Sequence, residues 1–567
     1  MTIYKLRRNH LIRHKHQIIV YIVVALLATI LSIISPYIIG GFLDSLIEDG
    51  NARVIIRFCI IFGGLNLVKI LKNYITSIMY VKMNTQMSYD LTRETLLHVQ
   101  GLSLSYTNQS DSAYLIQRVS IDSQEVISYS IKMSHNLIAN TLTLVVPFIV
   151  LLHINWAMTV MIVGFLFVYI FSYLAFRKPL HNIDIDLKES QNKYFANLFE
   201  QLKYIKLIKV NSIQPEINSR MERGFKGMKG SAIRSQKIKH IYSGLDGIVS
   251  TVAQIALFVI GGMLFISGSF TIGMFTVFSI YFGMMLSSAR YFFSLGASYQ
   301  NALVACNRLK DIFTLKVEEN GTVDIGDIKK IAIKNVSFAY QTPNDAAVLC
   351  GAHIDSKSRN KPSEHVLRNF SAEMCQGKVY AIVGANGGGK TTLINLMTGL
   401  YMGEANGTIL YNGIDIKNID LVAARKKYIA FAEQEPMLLN GSVLYNVTYC
   451  ADDSGLVDSY DVNHLNKYID CLNVNEFVEK NGLKFSVNDK STNLSGGEKQ
   501  KIAILKVLYR NSSVLIFDEP TSALDLQATK KFMSYIQQIK KDKIIILVTH
   551  DSYIKGLCDE VIDASPS

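Results

Sequence analysis

The sequence predicts two folds in tandem. An α-helical polytopic membrane domain of six transmembrane helices occupies residues 1–315. After a linker at 316–329, an α/β domain built on a phosphate-binding loop occupies 330–567. Three observations predict this. The composition is 49% hydrophobic and only 18% charged, with a mean hydropathy of +0.21, whereas soluble domains carry about 25% charged residues. The apolar residues gather in stretches near the ~20 residues that a helix needs to cross a bilayer. From Lys330 onward, short β-rich runs alternate with helical patterns, as in a largely parallel sheet.

The apolar stretches are 18–39, 54–75, 134–153, 157–176, 247–266 and 271–292. The second is interrupted by Arg57, Asn66, Lys69 and Lys72. Connections after the first, third and fifth are short and poor in basic residues. Those after the second and fourth are long, and the latter is strongly basic from Arg177 to Lys239. With Lys5, Arg7, Arg8, Arg13 and Lys15 near the N-terminus, this is where the positive-inside rule puts Lys and Arg. Both termini, the long connections and the α/β domain are therefore expected in the cytoplasm, with the lipid bilayer as a partner. The net charge of +12 then reports topology, and no nucleic acid is expected. A Lys/Ile/Asn-rich chain with one Trp points to a bacterial inner (plasma) membrane. The seven cysteines form no CxxC pair and no metal-spaced cluster, so reduced, non-catalytic thiols are expected.

Gly384-Ala385-Asn386-Gly387-Gly388-Gly389-Lys390-Thr391 matches GxxxxGK[ST] between an apolar run, Val379–Val383, and a helical one. Glycines let backbone N–H groups curl around phosphate oxygens at a helix start. Lys390 is expected at the β- and γ-phosphates and Thr391 at Mg²⁺. Val514–Phe517 reads as a buried strand ending in Asp518 and Glu519, where open α/β sheets bind ligands. Asp518 suits a Mg²⁺ site and Glu519 a general base, although many strands end in acidic residues.

Leu494-Ser495-Gly496-Gly497-Glu498-Lys499-Gln500 resembles the signature motif of ATP-binding-cassette (ABC) ATPases. The resemblance implies an ATP- and Mg²⁺-dependent ATPase domain of the ABC type. It implies that Tyr340 stacks on adenine, that Gln434 serves catalysis and the metal, and that His550 is the switch histidine. Asp525, in Ser522-Ala523-Leu524-Asp525, falls in the D-loop. Nucleotide contacts then come from Tyr340, Gly384, Asn386, Gly387, Gly388, Gly389, Lys390, Thr391, Thr392 and Asp525. In this family Ser495, Gly496 and Gly497 cap an ATP bound by a second chain, so a homodimer is expected. Six spans before one cassette is similar to an ABC exporter half-transporter. That layout implies coupling tips near Ser105–Ser112 and Asn211–Asn218. Gly388 departs from the family's usual Ser or Cys, and Lys506 from a frequent Arg. The long segment 341–365 holds Cys350, His353 and His365 at no metal spacing.

Polar stripes on the spans are the evidence for cargo. Asn66, Lys69, Asn73 and Tyr80 line one; Asn136, Asn140, Thr143 and Pro147 another; Asp246, Ser250 and Gln254 a third. Such residues face a cavity or tie helices together, and both readings stay open. Asn66, Lys69, Asn73, Asn140, Gln254 and Tyr281 are the cavity candidates, with Lys69 favouring a carboxylate on the cargo. Phe278, Tyr281, Met284 and Met285 offer either an adaptable apolar surface or lipid-facing packing. With the first apolar run starting at Ile18, the peptidase domain that some peptide exporters carry before it is not expected. The family resemblance thus implies ATP-driven export of a small-molecule or peptide cargo, foremost a small or bulky amphipathic peptide. The alternatives are a lipid or drug flippase or exporter, or a ligand-binding sensor or immunity protein without net transport.

Overall fold

The computed structural model describes residues 12–109, 115–340, 365–385, 387–401, 405–449, 465, 468–469, 482–488, 491–522 and 524–564. The chain divides into two compact units: Met1–Glu94 with Gln117–Lys310, and Thr95–Ile116 with Asp311–Ser567. The segment 341–364 and Asn386 lie outside the described residues.

The first unit is helical. In chain order the helices up to its end are α1 (Lys15–Asp49), α2 (Ala52–Gln100), α3 (Leu104–Gln109, which belongs to the second unit), α4 (Ser123–Ile154), α5 (Trp156–Lys203), α6 (Ile205–Val210), α7 (Gln214–Ile266) and α8 (Ile272–Thr314). The 6 long ones are apolar and long enough to cross a membrane. The predicted apolar stretches fall inside them, apart from Thr271, and the helices continue far beyond. At 1.5 Å per residue, the 49 residues of α2 and the 53 of α7 extend for roughly 75–80 Å, against a hydrocarbon layer of about 30 Å. Gly50, with φ 54°, turns the chain from α1 to α2. Asn155 caps α5 by accepting from the Met158 N–H.

The helical core packs Phe278, Tyr281, Phe282 and Met285 of α8 against Ile33, Leu151, Met158, Ile162 and Leu257. The apolar stripe on the sixth span is thus protein core, and neither a cargo surface nor a lipid face. Tyr281 is 2% exposed and its hydroxyl donates to the Ile33 carbonyl at 2.7 Å, which takes it out of the cavity set. A second junction joins the C-terminal part of α1 to the start of α8. A Cβ on Gly273 would lie 2.2 Å from the Gly40 carbonyl oxygen. Asp44 accepts there from the Gly273 N–H at 2.7 Å and the Thr271 hydroxyl at 2.8 Å. Close backbone approach and helix capping are thus satisfied at one point.

The second unit holds β1 (Lys330–Ala339), β2 (His365–Cys375), β3 (Val379–Val383), α9 (Lys390–Met397), β4 (Asn406–Tyr411), β5 (Ile414–Asp415), α10 (Leu421–Lys427) and β6 (Ile429–Ala432). There follow β7 (Gly441–Ser442), α11 (Val443–Thr448), β8 (Ser486–Val487), α12 (Gly496–Tyr509), β9 (Val514–Asp518), α13 (Leu526–Ile539), β10 (Ile544–Val548), α14 (Ser552–Leu557) and β11 (Glu560–Asp563). The central sheet runs β11-β3-β10-β9-β6 with parallel pairing throughout. A separate antiparallel sheet runs β2-β1-β4-β5. Alternate residues of the central strands enter different cores. Leu515, Phe517, Ile545 and Leu547 pack with α12 and α13 residues such as Ile504 and Phe532. Val514, Ile516, Ile544 and Ile546 pack with α9 and β1 residues such as Leu393 and Ile333. With both faces covered, β9 and β10 are buried along their whole length, which is why they read as unbroken apolar runs.

The chain between α2 and α4 contributes to this unit. Leu102 bridges Val317, and Leu104 packs against the β1-side core. The expected tip at Ser105–Ser112 coincides in part with α3, and residues 110–114 lie outside the described set. The tip expected at Asn211–Asn218 spans the junction of α6 and α7, with Pro215 in the first turn of α7.

Candidate functional site

The phosphate loop leaves β3 and enters α9. Gly387 and Gly389 take φ of 78° and 89°, values that side-chain-bearing residues rarely adopt. A Cβ on Gly389 would also meet Val366 at 3.0 Å, and one on Gly388 the Ala385 carbonyl at 2.9 Å. Gly388 is therefore fitted to a tight turn, closed by its own N–H on Ala385 at 2.9 Å. Lys390 is buried, and its ammonium donates to the Gly384 and Ala385 carbonyls at 3.0 and 3.1 Å. Tyr340 reaches the same helix: its hydroxyl lies 2.7 Å from that of Thr392. Its ring stands edge-on to Phe338 and Tyr401. Tyr401 carried no motif, and only the folded chain brings it to this aromatic group.

Strand β9 delivers the acids. The Thr391 hydroxyl donates to Asp518 at 3.4 Å, so two of the three expected Mg²⁺ ligands are neighbours. Burial, followed by the charge of Glu519, pushes the Asp518 carboxyl above the usual aspartate range; the Thr391 hydrogen bond and Lys390 oppose this. A buried carboxylate beside a second acid and a hydroxyl gains from a hard dication. The all-oxygen donor set fits Mg²⁺.

Glu519 begins the turn after the strand with φ 46°, a left-handed conformation that costs a non-glycine residue about 1–2 kcal/mol. Pro520 follows and narrows its choices further. The turn is held by the Glu519 N–H donating to Val548 at 3.0 Å. It aims the carboxylate at two of the expected partners. Gln434 donates to Glu519 Oε2 at 2.9 Å, and His550 Nε2 stands 3.7 Å from Oε1. Gln434 thus bonds to the candidate base, whereas Thr391 and Asp518 pair with each other. His550 follows β10, held by Thr549, whose N–H donates to Ile382 at 3.2 Å.

Ser495 is the N-cap of α12 and forms a capping box with Glu498. Glu498 Oε2 accepts from the Ser495 N–H at 2.6 Å and its hydroxyl at 2.7 Å. Ser495 and Gly496 are exposed, and nothing lies within 4 Å of a Cβ placed on Gly496. Asp525, expected at the nucleotide, also caps α13, accepting from the Ala528 N–H at 2.7 Å. Gln500 had no assigned role, yet it is buried and bonded to the Glu519 carbonyl. No spacing rule in the sequence signals that contact.

The cargo candidates are scattered. Asn66 and Asn140 donate to Phe62 and Asn136, carbonyls of their own helices, at 2.8 Å each. Neither bond ties one helix to another. Asn73 and Gln254 are exposed and Lys69 is half-buried.

Comparison with known proteins agrees with these two units. The family described as "ABC transporter transmembrane region" matches residues 18–289, and that described as "ABC transporter" matches 367–522. The chain is 25% identical over 539 residues to an ATP-dependent lipid A-core flippase of Haemophilus influenzae, covering 93% of this chain and 86% of that one. It is 24% identical over 544 residues to the lactococcin-G-processing and transport ATP-binding protein LagD of Lactococcus lactis, covering 95% and 73%. It is 26% identical over 469 residues to ABC transporter B family member 1 of Dictyostelium discoideum, covering 81% of this chain but 48% of that one; it spans about half of that relative's length. The solved structure of a bacterial Atm1-family ABC exporter with ATP bound superposes with a TM-score of 0.80 at 16% identity, covering 98% and 95% of the two chains. That likeness bears on the fold. A membrane-spanning domain followed by an ATP-binding cassette, matched in that order, makes the chain a member of the ABC exporter family, an ATPase coupled to transport across a membrane.

Proposed function

We propose that two copies of this chain export an amphipathic cargo, foremost a peptide, across a bacterial inner membrane, driven by ATP hydrolysed in the cytoplasm. The observation that carries the catalytic half is the convergence of Gln434 and His550 on the Glu519 carboxylate, at 2.9 and 3.7 Å. In this reading the phosphate loop and Lys390 bind the triphosphate while Tyr340 stacks on the base. Ser495–Gly497 of the second copy close over the γ-phosphate. Glu519 takes a proton from the attacking water, and Gln434 and His550 hold its carboxylate on line. Thr391 and Asp518 would hold Mg²⁺, which when bound would supply positive charge beside the triphosphate.

Lys69 remains the cargo candidate, as a half-buried ammonium on α2 that favours an anionic group. A second reading, movement of a lipid between leaflets, is favoured by the relatives named lipid A-core flippases. Reconstitution separates the readings. Labelled amphipathic peptides should accumulate in inside-out vesicles with ATP and fail to do so with Glu519→Gln. Transfer of a labelled phospholipid between leaflets, without peptide accumulation, selects the flippase reading. Ligand-altered ATPase with neither movement selects a sensor. Transport and stimulation unchanged in Lys69→Met would remove Lys69 from the cargo path.

A further inference from the structure

Gln500 lies in the second turn of α12 and is 3% exposed. Its Nε2 donates to the Glu519 carbonyl at 2.6 Å and to the Ser522 hydroxyl at 3.1 Å, while that hydroxyl stands 3.4 Å from Gln500 Oε1. The carbonyl it holds belongs to the peptide joining Glu519 to Pro520. Glu519 is the residue in the left-handed conformation, with φ 46°. A strained backbone persists only where its surroundings over-determine it. Here the amide of Gln500 grips one side of the turn and the β10 carbonyl of Val548 the other. The same helix begins at Gly496 with Ser495 as its cap, and the capping box stiffens that first turn. Ser495 and Gln500 are therefore joined by one short, hydrogen-bonded stretch of helix.

We propose that Gln500 is a positioning residue for hydrolysis: it sets the left-handed turn that aims the Glu519 carboxylate, and it ties that aim to the signature on its own helix. The proposal rests on Glu519 being the base and on the signature capping a nucleotide held by the second copy. Under that arrangement the two ends of the link serve different ATP molecules. A pull on Ser495–Gly497 by one triphosphate is transmitted through α12 and Gln500 to the carboxylate that acts on the other. The device needs no long-range movement, because displacing a reacting group by about 1 Å already costs on the order of 100-fold in rate.

The test is the steady-state and single-turnover ATPase of the full chain in liposomes. Gln500→Ala should lower kcat by roughly 10- to 100-fold while KM for ATP stays within about twofold. Gln500→Glu keeps the length and loses the donor, so it should show the same split if the alanine variant fails to fold. Binding of a fluorescent ATP analogue to the folded fraction should match the parent, since a merely structural role would lower nucleotide binding together with kcat. In a Glu519→Gln background, Gln500→Ala should add less than about twofold to the loss, because two residues acting through one carboxylate are not additive. Unchanged kcat in both Gln500 variants overturns the proposal. So does a rise in KM alone, or a full further loss in the Glu519→Gln background. Near-parental activity of Glu519→Gln by itself would instead overturn the reading of Glu519 as base.

Discussion

The two units solve opposite burial problems. In the α/β unit, β9 and β10 hide every side chain, and each strand alternates between two protein cores. In the helical unit the apolar stretch of α2 buries none of its residues, and Ile60 and Leu67 are each 69% exposed. Lipid is the expected solvent for that face. The difference decides where chemistry can sit. Functional groups of the α/β unit emerge at strand ends, where backbone geometry fixes them. Those of the helical unit lie along helix faces, where any position can be polar.

The sharpest way to break this comparison is Glu519→Gln. It should cut phosphate release by about 10³-fold and leave ATP binding intact; retained hydrolysis would mean that strand-end geometry does not identify the base. The helical unit has its own stringent point. Gly273→Leu must force apart the Gly40–Gly273 approach, and overpacking of that kind costs about 3 kcal/mol. Gly262, with nothing within 4 Å of a Cβ there, should accept leucine with no fall in melting temperature. Equal effects at both glycines would erase the distinction between a packed junction and a lipid face.

A third prediction concerns pH. The Asp518 carboxyl titrates above the usual range because of burial and Glu519, so the folded chain holds its proton more firmly than the unfolded one. As pH falls towards the ordinary aspartate value of about 4, this group should stabilise the metal-free fold. Protons then compete with the metal, so Mg²⁺ affinity should fall over the same interval. Asp518→Asn should flatten both trends; unaltered trends would assign them to other acids. The smallest effect is at Asp525. Losing the α13 cap through Asp525→Ala should cost about 1 kcal/mol in stability and leave the ATPase of the folded fraction unchanged. A larger loss of ATPase would place Asp525 at the nucleotide.

Much of the α/β unit was legible in advance. Val379–Val383 and Ile544–Val548 are the strands expected, because strand, glycine turn and helix form a local code, and Thr391 lies beside Asp518. Gln500 and Tyr401 were missed because their partners lie elsewhere in the chain. The cap that Asp525 makes on α13 was not read, although Asp before a helical run is an ordinary N-cap signal. In the helical unit the number of spans was legible and the cargo face was not. Hydropathy measures how apolar a residue is, and it cannot distinguish a side turned to lipid from one turned to protein. Hence Phe278 and Tyr281, read as surface, became core.

The Asp44 junction imposes a mechanical rule on the first and last spans. One carboxylate, projecting from within the last turns of α1, caps the start of α8, and two glycines leave no room for slippage. Separating α1 from α8 would strip the cap and bare the carboxylate together. Those two ends therefore behave as a rivet, and any gate in this unit must hinge around the pair and not through it.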